Sequence, residues 1–138
     1  MTNNSTPGYQ WSDAWLLLAT AIASREAPAP LAAIIATGDR IQHAIFTHAE
    51  LDRGLGRLLS GGVVQEDAGR YSLALRGKAL IVAAQQSAGE RLLAQQDALE
   101  RALGALRLSA ETSGALEAAA VGCVVSAAAY DRAVRNYS

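Results

Sequence analysis

The apolar positions nearest the amino terminus recur at the spacing of a helix. The first stripe consists of Trp15, Leu18, Ala19 and Ile22, and the neighbouring Leu16 and Leu17 widen it. Ser12 and Asp13 precede the stripe, and both residue types cap helix starts. The pattern therefore predicts a first, largely buried helix that begins at these two residues.

A second helix is predicted after two prolines. Pro28 and Pro30 end the first helix because proline lacks the backbone donor and disfavours helix in the residue before it. Pro30 also suits the first position of a new helix. An apolar stripe follows it, made of Leu31, Ile34, Ile35 and Ile41. The sequence allows two alternative ends for this helix. Either Gly38 breaks it near Asp39, or it continues to about His43 at a cost of ~1 kcal/mol for the glycine.

The third helix has the clearest local signals. Thr47 and Glu50 have the spacing of a capping box, in which each side chain satisfies a backbone donor at the helix start. Its narrow apolar face consists of Leu51, Leu55, Leu58 and Leu59. The pair Gly61-Gly62 should end the helix by supplying a left-handed cap.

Alternating residues after the third helix predict a β-hairpin. Residues 63–67 and 70–75 flank the turn Ala68-Gly69, and a fourth helix follows that ends between Ser87 and Gly89. The predicted fold class is mostly α with a small β-hairpin wing, in the order helix, helix, helix, hairpin, helix. That order is the order of a winged helix-turn-helix.

Two segments resemble bacterial winged-helix transcriptional regulators. Residues 50–64 resemble their recognition helix and first wing strand, and residues 70–77 resemble the second wing strand and the start of the next helix. Ala74 departs from the pattern, since many such regulators have threonine there. The resemblance covers residues 11–88 and implies a winged helix-turn-helix domain with a function in DNA binding and transcription regulation.

Residues 89–138 form a predicted helical extension. A four-three spacing lines one seam of a helix there, made of Leu92, Gln96, Leu99, Leu103 and Leu106. The seam predicts a homodimer, and packing back on the first 88 residues is the alternative. No structure is predicted for residues 109–125, whereas Ser126 should cap a last helix with Tyr130, Val134 and Tyr137 on one side.

Composition limits the class of protein. A chain of 138 residues with 51% hydrophobic residues suits one compact domain with an appendage. Its apolar runs are shorter than the ~20 residues that a membrane-spanning helix needs. Residues 1–10 are polar and predict a disordered tail without a secretion signal, so we expect a cytoplasmic protein. The single cysteine, Cys123, forms no internal disulfide and is expected to be a small buried residue.

A helical wheel of the third helix defines a candidate DNA-binding surface. The side chains opposite the leucines are small or cationic, and the hairpin and the fourth helix add further cations that suit phosphates. The predicted DNA-contacting residues are Ala49, Arg53, Gly56, Arg57, Ser60, Arg70, Arg76 and Lys78. The alternative for Arg53 and Arg57 is pairing with Glu50 on a solvated surface.

Charge weakens the expectation of DNA binding. The chain has a formal net charge of −1, whereas nucleic-acid binders usually carry a basic footprint. Between Thr47 and Lys78, five cations face four acids, which leaves a net charge of about +1. The second hypothesis is therefore a winged-helix module for protein–protein interaction or self-association that does not bind DNA.

Other chemistry has little support in the sequence. His43 and His48 are five residues apart, which matches no known metal-ligand spacing, so we expect no metal site and no cofactor. No nucleophile has an evident base partner, and we expect no enzymatic activity. Tyr9, Trp11 and Trp15 predict core packing, with an effector pocket lined by Trp15 as the alternative.

Overall fold

The computed structural model of the chain describes residues 9–106 and 125–137, and side chains within 9–104 and 125–136. Its elements are α1 (Trp11–Ala23), β1 (Ala29–Pro30), α2 (Leu31–Gln42), α3 (His48–Ser60), β2 (Val64–Asp67), β3 (Arg70–Leu73), α4 (Leu75–Ala88), α5 (Leu92–Leu106) and α6 (Ala127–Tyr137). The protein is thus mostly helical with a small antiparallel sheet. The predictions for residues 1–8, residues 109–122 and Cys123 lie outside the described residues.

Helix α1 begins earlier than predicted. Gln10 is its N-cap, and Asp13 lies in the first turn, where its carboxylate accepts a hydrogen bond from the Gln10 backbone nitrogen at 2.8 Å. The prediction that Ser12 and Asp13 cap the helix start was therefore wrong, since both lie inside the first turn. Asp13 stabilises the helix start from inside the helix.

Helix α2 continues through Gly38 and ends at Gln42, with His43 as its C-cap at a left-handed φ of 58°. The longer of the two predicted helices is thus confirmed, whereas Pro30 lies at the N-cap rather than at the first helical position. Gly38 is needed for packing, because a Cβ there would collide with the ring of Phe46. That ring stacks on Trp15 at a centroid distance of 3.9 Å, and the Trp15 indole donates to the Gly38 carbonyl at 3.0 Å.

Helix α3 confirms the predicted capping box. The Thr47 hydroxyl accepts from the Glu50 nitrogen at 3.1 Å, and the Glu50 carboxylate accepts from the Thr47 nitrogen at 2.9 Å. Its apolar face is buried in the core, with Leu51, Leu55 and Leu58 fully enclosed. The left-handed residue after the helix is Gly62, with a φ of 73°.

The sheet contains the predicted hairpin and one strand that the sequence pattern did not predict. Strands β2 and β3 pair antiparallel across a turn at Ala68 and Gly69, both with positive φ. Ala29 of β1 pairs with Tyr71 of β3, so the strand order is β1-β3-β2. Pro30 is tolerated because β1 is an edge strand, where a missing donor breaks no internal ladder.

The last two helices cover the helical core from different sides. Helix α5 packs against α1 and α4, and α6 packs against α2. Ser126 caps α6 as predicted, since its hydroxyl accepts from the Ala129 nitrogen at 3.1 Å. No helix within the described ranges is both long and apolar enough to cross a membrane.

Candidate functional site

Arg57 does not lie on an open face of α3. Its guanidinium binds both carboxylate oxygens of Asp13 in α1, at 2.7 and 2.9 Å. The Asp13 side chain is fully buried and that of Arg57 is 15% exposed. The expected outward placement of Arg57 was wrong, and so was its alternative pairing with Glu50, which instead caps α3. A bidentate buried pair fixes α3 on α1 and leaves this cation unavailable to phosphate.

The open part of α3 is narrow. Ala49 and Arg53 are exposed and Ser60 is partly exposed, whereas Gly56 is buried and offers no contact surface. The Arg53 side chain forms no hydrogen bond or ion pair with any other residue that the structure describes. One cation among small side chains is what remains of the predicted face of this helix.

The amino-terminal end of α3 is in contact with the chain's own carboxy-terminal segment. The Asp52 carboxylate accepts from the Val125 nitrogen at 2.9 Å, and the His48 Nε2 lies 2.5 Å from the Val125 carbonyl oxygen. The Tyr130 hydroxyl donates to the Phe46 carbonyl at 2.6 Å. In a helix-turn-helix the amino-terminal residues of the recognition helix contact base edges. Two side chains in the first two turns of α3 are therefore already engaged by α6 and the residues before it.

The remaining predicted cations point in different directions. Arg70 is exposed on the hairpin, and Arg76 donates to the Gly61 carbonyl at 3.0 Å, at the carboxyl end of α3. Lys78 lines a cavity with Leu18 of α1. Residues two apart on a helix lie on different faces, so Arg76 and Lys78 cannot contact one surface together. The predicted set is thus dispersed over the molecule.

The seam predicted for dimerisation packs within the chain. Leu99 and Leu103 are fully buried, and the amide oxygen of buried Gln96 accepts from Gln42 Nε2 at 2.8 Å. Leu92 is exposed at the start of α5, and the Leu106 side chain lies outside the described residues. The alternative of packing back on the first 88 residues is confirmed. A heptad-like stripe predicts a helix–helix contact but not whether the partner belongs to the same chain.

A different apolar surface was missed by the sequence analysis. On α4, Leu75 is 85% exposed and Val82 is 50% exposed, and Ala79 and Ala83 are exposed beside them. We call these four residues the α4 stripe. The sequence signal for this stripe is a four-three spacing of apolar residues at 75, 79 and 82. The next position in that spacing is Gln86, where the apolar run ends.

The aromatic cluster near the amino terminus is part of the core. Trp15 is buried and stacks on Phe46, which supports the expected packing role, and Trp11 remains partly exposed beside it. Burial raises the pKa of Tyr9, although the Arg76 charge opposes this change. Within the described part of the chain, no three histidine, cysteine or acidic residues come together as a metal site would require.

Comparison with known proteins gives no relative: no family model matches the chain, and neither the curated proteins nor the solved structures contain a match.

Proposed function

We propose that residues 11–88 form a winged helix-turn-helix module whose function is self-association, and that a second copy of the chain binds the α4 stripe. The order of the helices and of the hairpin agrees with this fold. The observation that carries the function is the α4 stripe itself, where Leu75 and Val82 are 85% and 50% exposed on the side of α4 away from the core. Exposed apolar residues that line up on one helix face are typical of contact surfaces, whereas scattered ones are not.

Charge favours an antiparallel arrangement of two α4 helices. Arg76 and Lys78 lie near the amino-terminal end of α4, and the helix contains no acidic residue. Parallel helices would bring these four cations together. An antiparallel pair related by a two-fold axis separates them, places them near the uncharged Gln85 and Gln86 of the other copy, and opposes the two helix dipoles.

The size of the stripe sets the expected affinity. Helix α4 has 14 residues and is therefore roughly 21 Å long. One helix face of that length buries less than the ~800 Å² per partner of a standard stable interface. We therefore expect a dimer with a dissociation constant in the micromolar range or weaker.

Sedimentation velocity over a concentration series tests this proposal. The wild-type mass should rise from that of the monomer toward that of the dimer, and Val82→Glu should keep the chain monomeric because a carboxylate would be buried at the interface. Leu93→Glu is the matched control, because Leu93 is also exposed but lies on α5, outside the stripe. A wild-type chain that stays monomeric at every concentration, or a Val82→Glu variant that dimerises like wild type, contradicts the proposal.

DNA binding is the second candidate function. It is favoured by Arg53, which is exposed between Ala49 and Ser60 on the open part of α3, and by exposed Arg70 on the hairpin. With few free cations, binding should be weak and should fall steeply with salt. Fluorescence anisotropy with mixed genomic DNA fragments across a salt series tests it, with Arg53→Ala as the variant and Arg101→Ala, an exposed arginine of α5, as its control. Absence of binding at low salt, or equal effects of the two variants, rejects this second function.

A further inference from the structure

A cavity of about 430 Å³ lies beside the carboxyl end of α1, between that helix, the outer side of the hairpin and α4. This volume falls within the range of small-molecule sites, roughly 300–1,000 Å³. No binding site was predicted here from the sequence. The only one of the predicted contact residues in its lining is Lys78.

The cavity is lined by apolar side chains on one side and by polar, uncharged side chains on another. Leu18 and Ile81 are buried at its apolar side, and Ile22 and Leu73 extend that side while remaining partly exposed. Gln65 and Ser72 line it from the hairpin and bind each other at 3.2 Å. A ligand held here would therefore meet a hydrophobic surface on one side and hydrogen-bonding groups on another.

Two cations face the cavity without partners in the described part of the chain. Arg25, just after α1, and Lys78 of α4 both line it, and neither side chain forms a hydrogen bond or ion pair with another described residue. Glu26 is the one acidic residue in the lining, so the charge of the lining is +1, from two cations and one acid. Unpaired cations next to apolar surface are complementary to a ligand with an anionic group and a hydrophobic body.

We propose that this cavity binds a small amphipathic carboxylate. The carboxylate lies between Arg25 and Lys78, where the guanidinium can bind two oxygens and the ammonium acts as a point charge. The hydrophobic body covers Leu18, Ile22 and Ile81. Ile81 and Lys78 belong to α4, so an occupied cavity joins the end of α1 to that helix. This proposal does not depend on self-association or on DNA binding.

NMR titration of isotope-labelled full chain with 2-naphthoate tests the proposal, and 2-naphthamide serves as the neutral probe with the same ring system. We expect backbone shifts that map to the cavity lining, and an affinity for naphthoate about tenfold above that for naphthamide, as one charge-assisted hydrogen bond gives. Equal affinities, shifts that map elsewhere, or no binding at millimolar naphthoate would each overturn the proposal.

Charge variants identify the residues that hold the carboxylate. Arg25→Gln and Lys78→Gln should each lower the naphthoate affinity severalfold and leave the naphthamide affinity unchanged. Glu26→Gln should raise the naphthoate affinity, because it removes the acidic charge of the lining. Arg40→Gln is the control, since Arg40 is an exposed cation of α2 outside the cavity. All four side chains are exposed, so the variants should fold, which circular dichroism checks. If Arg40→Gln has the same effect as the two cavity variants, the attraction is nonspecific and the site assignment is wrong.

Discussion

Replacing Arg57 by alanine is expected to destabilise the fold strongly. The buried Asp13 carboxylate accepts three hydrogen bonds: one from the Gln10 nitrogen at 2.8 Å and two from Arg57 at 2.7 and 2.9 Å. Arg57→Ala removes two of these and leaves the carboxylate without a cation. Breaking a buried ion pair from one side costs about 3–5 kcal/mol. Because Arg57 is 15% exposed and water can partly replace it, we expect the lower value, about 3 kcal/mol, and a fall in Tm of roughly 10 °C.

Urea unfolding followed by circular dichroism measures this effect. Arg53→Ala is the matched control, because it removes an exposed arginine of the same helix and should change the free energy of unfolding by less than about 0.5 kcal/mol. The double variant Asp13→Asn/Arg57→Ala should lose less stability than the sum of the single variants, since each single change already breaks the same contact. If Arg57→Ala is as mild as Arg53→Ala, the ion pair is not formed and Arg57 faces solvent, which would restore it to the candidate DNA surface.

Four further substitutions test other parts of the fold. Gly77→Ala should lower the free energy of unfolding by about 2 kcal/mol, because its methyl group would collide with a backbone carbonyl just before β2. Gly104→Ala adds a methyl group in open space and should raise the free energy of unfolding by up to ~1 kcal/mol. Thermal melts of the two variants should therefore shift in opposite directions. Tyr130→Phe removes the hydrogen bond to the Phe46 carbonyl and should cost about 1 kcal/mol in urea unfolding; an unchanged midpoint would mean that this contact does not hold α6. Burial, and to a smaller extent the nearby carboxylates, raises the pKa of Tyr71 above the ordinary value of 10.0. The unfolded chain therefore loses this proton at a lower pH than the folded chain, and stability falls as the pH rises above 10.0. Tyr71→Phe should flatten this alkaline loss, and equal slopes for variant and wild type would contradict the burial of the phenol.

Local sequence signals predicted most of the helices and the hairpin. The capping box of Thr47 and Glu50 is complete within four residues, and the turn at Ala68 and Gly69 lies between two short strands. Such signals are short-range, so they do not depend on how the rest of the chain folds. β1 was missed because two residues carry no periodicity, and only the pairing of Ala29 with a distant strand defines it.

The surface of α3 and the packing of α5 were harder to predict because they depend on contacts between residues far apart in the sequence. Asp13 and Arg57 are 44 residues apart, and His48 and Val125 are 77 apart. A helical wheel identified the direction opposite the leucines but could not show that α1 lies beside Arg57. The same limit applies to Leu99 and Leu103, whose stripe fits a partner chain and the chain's own core equally well. Exposed surfaces such as the α4 stripe become visible only once the core residues are known.

The strand order β1-β3-β2 has a consequence for aggregation. Among the strands that the structure describes, it leaves β2 at an edge of the sheet, where a strand from another molecule could pair with it. That edge is four residues long, and exposed Glu66 and Asp67 lie at its outer end. A short strand that carries two adjacent carboxylates repels an incoming acidic copy of itself, which is how natural sheets avoid uncontrolled growth. The two carboxylates of β2 therefore oppose the edge-to-edge pairing of two hairpins through this strand.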